Sequence, residues 1–324
     1  MKNPRSLGAA LLLLALSFTN CKEKENVIPQ TQNNDPADIT YFSIEDVFDD
    51  LKLKPKTVTI DADKDASFYG NSGTRFILKA NSLTTMDGTL VTGEVQINVT
   101  EYLEKGDMLF SKTLPISNGE PLISGGELNI SAEQSGKPLR LADGKTVQAN
   151  IPQNGTPDKD MGFFIGEQKK GDDVNLVNWV RPKVDTAGQF NQVVWTHTAD
   201  TLSIISDTLA YANADRFFKN PDYQSFTVTV KIPGINFDST IRVFGYAIYR
   251  DYNGMWPLYT YYYNKGYFQE GHVAKIRVNF VLFALINGEF YGGITAATPE
   301  NGKTYEVILS KTDAAIFKQK VNDL

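Results

Sequence analysis

A chain of 324 residues has room for two domains of ordinary size. Its 41% apolar and 22% charged residues exclude disorder throughout. A formal charge of −6, with no basic stripe along the body of the chain, leaves no electrostatic footprint for nucleic acid, so DNA and RNA are excluded as partners.

The chain starts with basic Lys2 and Arg5, runs through an apolar core from Leu7 to Leu16, and reaches Ser17-Phe18-Thr19-Asn20-Cys21. That core is too short to span a bilayer, which takes roughly 20 apolar residues. The segment resembles a lipoprotein signal peptide over 1–20, whose lipobox ends in a cysteine that is acylated and becomes the new N-terminus. Cys21 is the only cysteine in the chain, so it has no partner for an intramolecular disulfide, and its place after the apolar core assigns it to lipid attachment. Each buried acyl methylene adds about 0.8 kcal/mol of membrane affinity. The resemblance implies an outer-membrane lipoprotein at the cell surface or the periplasmic face, with the membrane as its first partner.

From Lys22 the sequence is dominated by Lys, Glu, Asn, Gln, Asp and Pro, and residues 21–42 read as the acylated cysteine followed by a flexible tether. A coil of about twenty residues spans roughly 25 Å, enough to hold a domain clear of lipid headgroups. Over 43–51, Ser43 can cap a helix, Asp46 stands three residues on, and Ile44, Val47, Phe48 and Leu51 share one face. Most of the chain beyond this helix alternates with period two, as in Val95, Ile97, Val99; Leu128, Ile130, Ala132; and Phe226, Val228, Val230, Ile232. A longer strand from Ile276 to Leu282 reaches Asn287-Gly288, a pair suited to a type I′ hairpin, and returns through Phe290 and Tyr291. Similar turn signals stand at Asp87-Gly88, Asn118-Gly119, Asp143-Gly144, Asn154-Gly155, Asn253-Gly254 and Asn301-Gly302. Near the end, Thr312 is placed to cap a helix over 312–324 that carries Phe317, Val321 and Leu324. The pattern predicts an all-β fold of two β-sandwich-like domains, 43–155 and 160–324, divided where Pro152-Gln153-Asn154-Gly155-Thr156-Pro157-Asp158 interrupts the apolar alternation.

The stretch Gly73-Thr74-Arg75-Phe76-Ile77-Leu78-Lys79-Ala80-Asn81-Ser82-Leu83, followed by Gly93-Glu94-Val95-Gln96-Ile97-Asn98-Val99-Thr100-Glu101-Tyr102, resembles the opening of a ZU5-like β-sandwich, with Lys79 where that module usually carries proline. Ile123-Ser124-Gly125-Gly126-Glu127-Leu128, Val147-Gln148-Ala149-Asn150-Ile151-Pro152 and Asn213-Ala214-Asp215-Arg216-Phe217 resemble segments of bacterial lipoproteins bearing this module and a second β domain. The resemblance implies a fold, a location and a bias toward interaction and scaffolding. It implies no catalytic residue.

Hydrolytic chemistry needs a base beside a nucleophile, most often histidine. The two histidines, His197 and His272, read as ordinary surface or edge residues, with no Gly-x-Ser-x-Gly elbow beside either. No catalytic residue and no cofactor are expected. Asp61-Ala62-Asp63-Lys64-Asp65 offers alternating oxygens, but Ala66 and Ser72 stand where a calcium loop wants glycine and glutamate, so a solvated acidic loop without metal is expected. Asp215 and Arg216 read as a structural ion pair, and Gly125-Gly126 as a bulge. Aromatic density between Tyr246 and Phe268 is the most suggestive feature, and Trp256, Tyr259, Tyr261, Tyr263 and Tyr267 are the candidate ligand-binding residues. On a strand, Tyr259, Tyr261 and Tyr263 would share a face and Tyr262 would take the other. Exposed, such a patch suits an envelope protein or polysaccharide; buried, it is a tyrosine-rich core. The resulting expectation is a non-catalytic envelope lipoprotein that binds or scaffolds, or alternatively an accessory glycan-binding lipoprotein serving saccharide uptake.

Overall fold

The computed structural model describes residues 39–153, 158–169, 175–182, 201–219 and 222–324, and the backbone of 192–195. Cys21, the tether up to residue 38, His197 and the turn Asn154-Gly155 lie outside the described residues.

The fold is mostly β, and among the described residues its strands form four sheets. The first, of nine strands, runs in the order Lys56–Asp61, Glu94–Tyr102, Glu120–Gln134, Tyr211–Phe217, Gly162–Gln168, Val177–Val180, with three short strands attached at its side. The second orders Gln192–Trp195, Thr201–Ser206, Val147–Pro152, Arg75–Leu78 and Ala66–Tyr69. These two face each other over one core. Val95, Ile97 and Val99 meet Leu128, Ile130 and Ala132 from one side, and Phe76, Ala149, Ile151, Leu202 and Ile204 close it from the other. The alternating positions are the buried ones because successive strand residues point to opposite faces.

The second sandwich pairs a four-stranded sheet (Tyr261–Tyr262, Tyr267–Ala274, Tyr223–Lys231, Thr304–Ile308) with a five-stranded one (Met255–Pro257, Val243–Tyr249, Val278–Ile286, Glu289–Ala297, Ser310–Lys311). The strand Val278–Ile286 is buried on both faces. Phe280 lies 5.3 Å from Phe226 of the facing sheet, while Phe283 turns the other way, into a layer of helices. These are α1 (Ile44–Leu51), α2 (Lys105–Phe110) and α3 (Ala314–Asn322). Phe48 of α1, Phe110 of α2 and Phe317 of α3 ring Phe283 at 6.0, 5.4 and 6.2 Å. Lys318 fastens the layer, pairing with Asp107 at 2.7 Å and donating to Leu51 O at 2.8 Å.

Helix α1 begins as its sequence dictates: Ser43 Oγ accepts from Asp46 N and the Asp46 carboxylate accepts from Ser43 N, the reciprocal capping box. Asn287 and Gly288 both take positive φ in the hairpin that joins Val278–Ile286 to Glu289–Ala297. Two local expectations are corrected. Asp313, not Thr312, caps the last helix, accepting from Ile316 N at 2.8 Å, because the chain enters the helix one residue later and aspartate caps well. Gly254 has ordinary φ; its glycine is needed because a Cβ there would stand 2.6 Å from Leu122 O.

The expected division between 151 and 160 falls inside the first sandwich. Strands from both sides of it pair edge to edge: Thr201–Ser206 with Val147–Pro152, and Tyr211–Phe217 with Glu120–Gln134. The chain passes to the second core only after Phe217, while Tyr41–Leu51 and Tyr102–Ile116, early in the sequence, also contribute to that second core. The run Pro152-Gln153-Asn154-Gly155-Thr156-Pro157-Asp158 has the composition of a linker, which is why the pattern misplaced the division.

Candidate functional site

Three arrangements carry unusual side chains. The first is the aromatic face of the second sandwich. Trp256 is buried, Tyr261 and Tyr267 are half-buried, and Tyr259 and Tyr263 are exposed, as is Tyr262. Strand pairing explains the split. Tyr261 lies opposite Phe268 and Tyr262 opposite Tyr267, so Tyr261 leans on the buried Phe268 ring at 4.7 Å while Tyr262 stacks on Tyr267 at 4.7 Å on the outer side. Tyr259, Tyr261 and Tyr263 line one recess of about 90 Å³, and Tyr259 stands edge-on to Trp256 at 5.7 Å. The Trp256 indole N–H and the Tyr261 hydroxyl have no hydrogen-bond partner among the described residues. Burial pushes the Tyr261 phenol well above its ordinary pKa, with Tyr263 adding to the shift, so it stays a neutral donor. Tyr246 and Tyr249, which the sequence groups with this patch, are core residues.

His272 borders the same face. Its Nδ1 lies 3.4 Å from Glu270 Oε1, which also accepts from Gly271 N and His272 N, and its ring sits 6.3 Å from Trp256 and 6.0 Å from Tyr223. No serine, threonine or cysteine hydrogen-bonds His272 among the described residues.

The second arrangement is a buried polar cluster in the first sandwich, where two motifs far apart in sequence meet. Strand register sets Asn213 opposite Glu127 and Asp215 opposite Ser124, with a bulge at Gly125-Gly126 absorbing the extra residue. Gly125 is required by packing, since a Cβ would stand 2.7 Å from Leu202. Glu127 and Asp215 have no exposed surface. Asn213 Nδ2 donates to Asp215 Oδ2 at 2.6 Å and reaches Glu127 Oε1 at 3.4 Å, and Ser124 Oγ donates to Asn213 Oδ1 at 3.1 Å. Burial drives both carboxyls well above the ordinary carboxylate range, and the charge of Asp215 pushes Glu127 further up.

This overturns the expected pairing of Asp215 with Arg216. Neighbours on a strand point to opposite faces, so Asp215 faces the cluster while Arg216 pairs with Asp158 and lies over the Tyr252 ring at 5.8 Å. The acidic loop from Asp61 to Asp65 is likewise occupied by protein: Asp61 holds Lys64 at 2.8 Å, Asp65 holds Lys79 at 2.7 Å, and Asp63 Oδ2 accepts from Gly93 N at 2.8 Å.

The third arrangement is a cleft of about 610 Å³ between the two sandwiches, bordered by Leu103–Lys105, Ser124-Gly125, Ile151–Gln153, the loop Arg250–Asn253 and the chain end at Leu324. No single sequence pattern marks it, because its walls come from segments as far apart in sequence as Leu103 and Leu324 that only the fold unites. Its pieces stand in the sequence under other readings: Asn253-Gly254 as a turn, Gly125-Gly126 as a bulge and Pro152-Gln153 as a division between domains.

Comparison with known protein families finds no matching family model, and comparison with curated proteins finds no match.

Proposed function

We propose that the protein is a non-catalytic cell-envelope lipoprotein, held to the outer membrane by an acylated Cys21, which binds another envelope protein or polymer across the tyrosine-bearing face of its second sandwich. The observation that supports this is the set of exposed rings Tyr259, Tyr262 and Tyr263 seated on the buried or half-buried Trp256, Tyr267 and Tyr261. Rigid aromatic side chains with polar tips lose little conformational entropy on contact and dominate binding surfaces. The recess among them, about 90 Å³, is far below the roughly 300–1,000 Å³ of sites that enclose a small molecule, which favours a partner laid across the face. The ZU5-like resemblance, with its bias toward interaction and scaffolding, agrees with this reading.

The test has two arms. Photocrosslinking from positions 259 and 262 in intact cells is expected to recover one reproducible partner, lost in the Tyr259→Ala/Tyr262→Ala double variant at unchanged melting temperature. Mass spectrometry of the membrane fraction is expected to find Cys21 as an acylated N-terminus; a free thiol on secreted material would sink the anchor. A second reading, an accessory glycan-binding lipoprotein serving saccharide uptake, is favoured by the polar cleft of about 610 Å³.

A further inference from the structure

The cleft between the sandwiches has the volume and the position, at a seam between two cores, that small-ligand sites prefer. Its walls are fixed in advance. Ser124 N donates to Asn253 O at 2.7 Å, Asn253 Nδ2 to Leu103 O at 3.2 Å, and Gln153 Nε2 to Gly125 O at 2.8 Å. Lys105 Nζ adds bonds to Tyr249 O at 2.8 Å and Leu324 O at 3.1 Å. A ligand would therefore meet a shaped site, with little ordering left to oppose binding.

The charges on the walls decide what chemistry it accepts. Lys105 is engaged by Tyr249 O and Leu324 O, and Asp251 is paired with Arg277. That leaves the Arg250 guanidinium and the Glu104 carboxyl, neither of which makes a side-chain hydrogen bond among the described residues. Two acidic and two basic side chains line one space, so an anion would face Glu104 and Asp251, and a cation would face Arg250 and Lys105. An apolar ligand would strip these groups of water without replacing it. A hydroxyl group both donates to a carboxylate and accepts from a guanidinium, and Tyr252, partly exposed on the same wall, adds an aromatic side chain.

We propose that this cleft is a binding site for a neutral saccharide, with Arg250 and Glu104 hydrogen-bonding its hydroxyls and Tyr252 lying against its ring. The proposal rests on the second, glycan-binding reading, and it separates that site from the tyrosine face.

Isothermal titration of the full chain with cellobiose, maltose, lactose and chitobiose, and with digalacturonate as the acidic comparison, tests it. At least one neutral disaccharide is expected to bind. Arg250→Ala and Glu104→Gln should each weaken that binding by at least about tenfold, the loss of one hydrogen bond to a charged group. Tyr252→Ala should weaken it as well, with Tyr262→Ala without effect and all melting temperatures unchanged. Binding only of digalacturonate, or none across the panel, overturns the proposal. A neutral sugar that binds but responds to Tyr259→Ala or Tyr262→Ala and not to the cleft variants overturns the cleft assignment while leaving glycan binding intact. Crosslinking from the tyrosine face reports on the first reading independently of either result.

Discussion

Glu127 and Asp215 sit in the interior with no lysine, arginine or histidine paired to either among the described residues. A buried carboxylate without a cation is so costly that the group keeps its proton instead. The polar contacts are too few to offset that cost: Asn213 supplies a donor toward each acid, while Glu127 Oε2 and Asp215 Oδ1 find no hydrogen-bond partner among the described residues. Both folded-state pKa values are raised, so between the unfolded value of about 4 and the raised one the folded protein holds more protons than the unfolded chain. The stability from this pair is thus complete below about pH 4 and declines as pH climbs toward the folded pKa, by up to about 1.4 kcal/mol per pH unit for each proton. Urea unfolding of the native chain between pH 5 and 8 should follow that decline, and Asp215→Asn, which imitates the protonated acid, should remove the share of it that belongs to Asp215 and leave that of Glu127. A native profile no steeper than the variant's would mean that Asp215 does not hold its proton. The sequence displayed both motifs but not their meeting, since adjacency along a strand suggests the pair Asp215–Arg216 while the pleat sends the two side chains apart.

Local elements were legible where local chemistry decides them. The capping box at Ser43 and the spacing of Val47, Phe48 and Leu51 placed α1 to within a residue, and Asn287-Gly288 placed its hairpin, because each depends on residues a few positions apart. Helix α2 was not legible: six residues, Lys105–Phe110, with a glycine in the first turn have no periodicity to read. Gly106 stands there because a Cβ would lie 2.7 Å from Lys318 O of α3, a contact set by the packed helices. The aromatic cluster divided for a similar reason, since the facing sheet and not the local sequence determines that Trp256 goes in and Tyr262 stays out. Helix α1 derives its stability from packing, as eight residues are too few to stand alone. Phe48→Ala, which removes the ring between Phe110, Phe244 and Phe283, is expected to destabilise the protein by about 3–5 kcal/mol. Ser43→Ala should cost about 1 kcal/mol through the lost cap. Paired denaturation curves measure both, and near-equal losses would mean that the cap, and not the ring cluster, holds the helix.

On the scale of the molecule, chain order and core membership do not coincide. The first sandwich takes strands from residue 56 to residue 217, while the second core recruits α1 and α2 from ahead of most of those strands. Backbone bonds such as Ser124 N to Asn253 O, and the Lys105 bond to Tyr249 O, then join the two cores across a long stretch of sequence. Cutting the chain after Asp158 therefore damages both halves. A fragment of residues 39–158 would lose the partners of Val147–Pro152 and Glu120–Gln134, baring Leu128 and Ile151. A fragment of residues 159–324 would lose α1 and α2 and bare the Phe283 face. Neither is expected to give a dispersed amide spectrum or a cooperative melt, and the intact chain is expected to unfold in a single calorimetric transition. Independent, cooperative folding of the 39–158 fragment would instead make the later strands an addition to a sandwich already complete, and would return the division to the segment between 151 and 160.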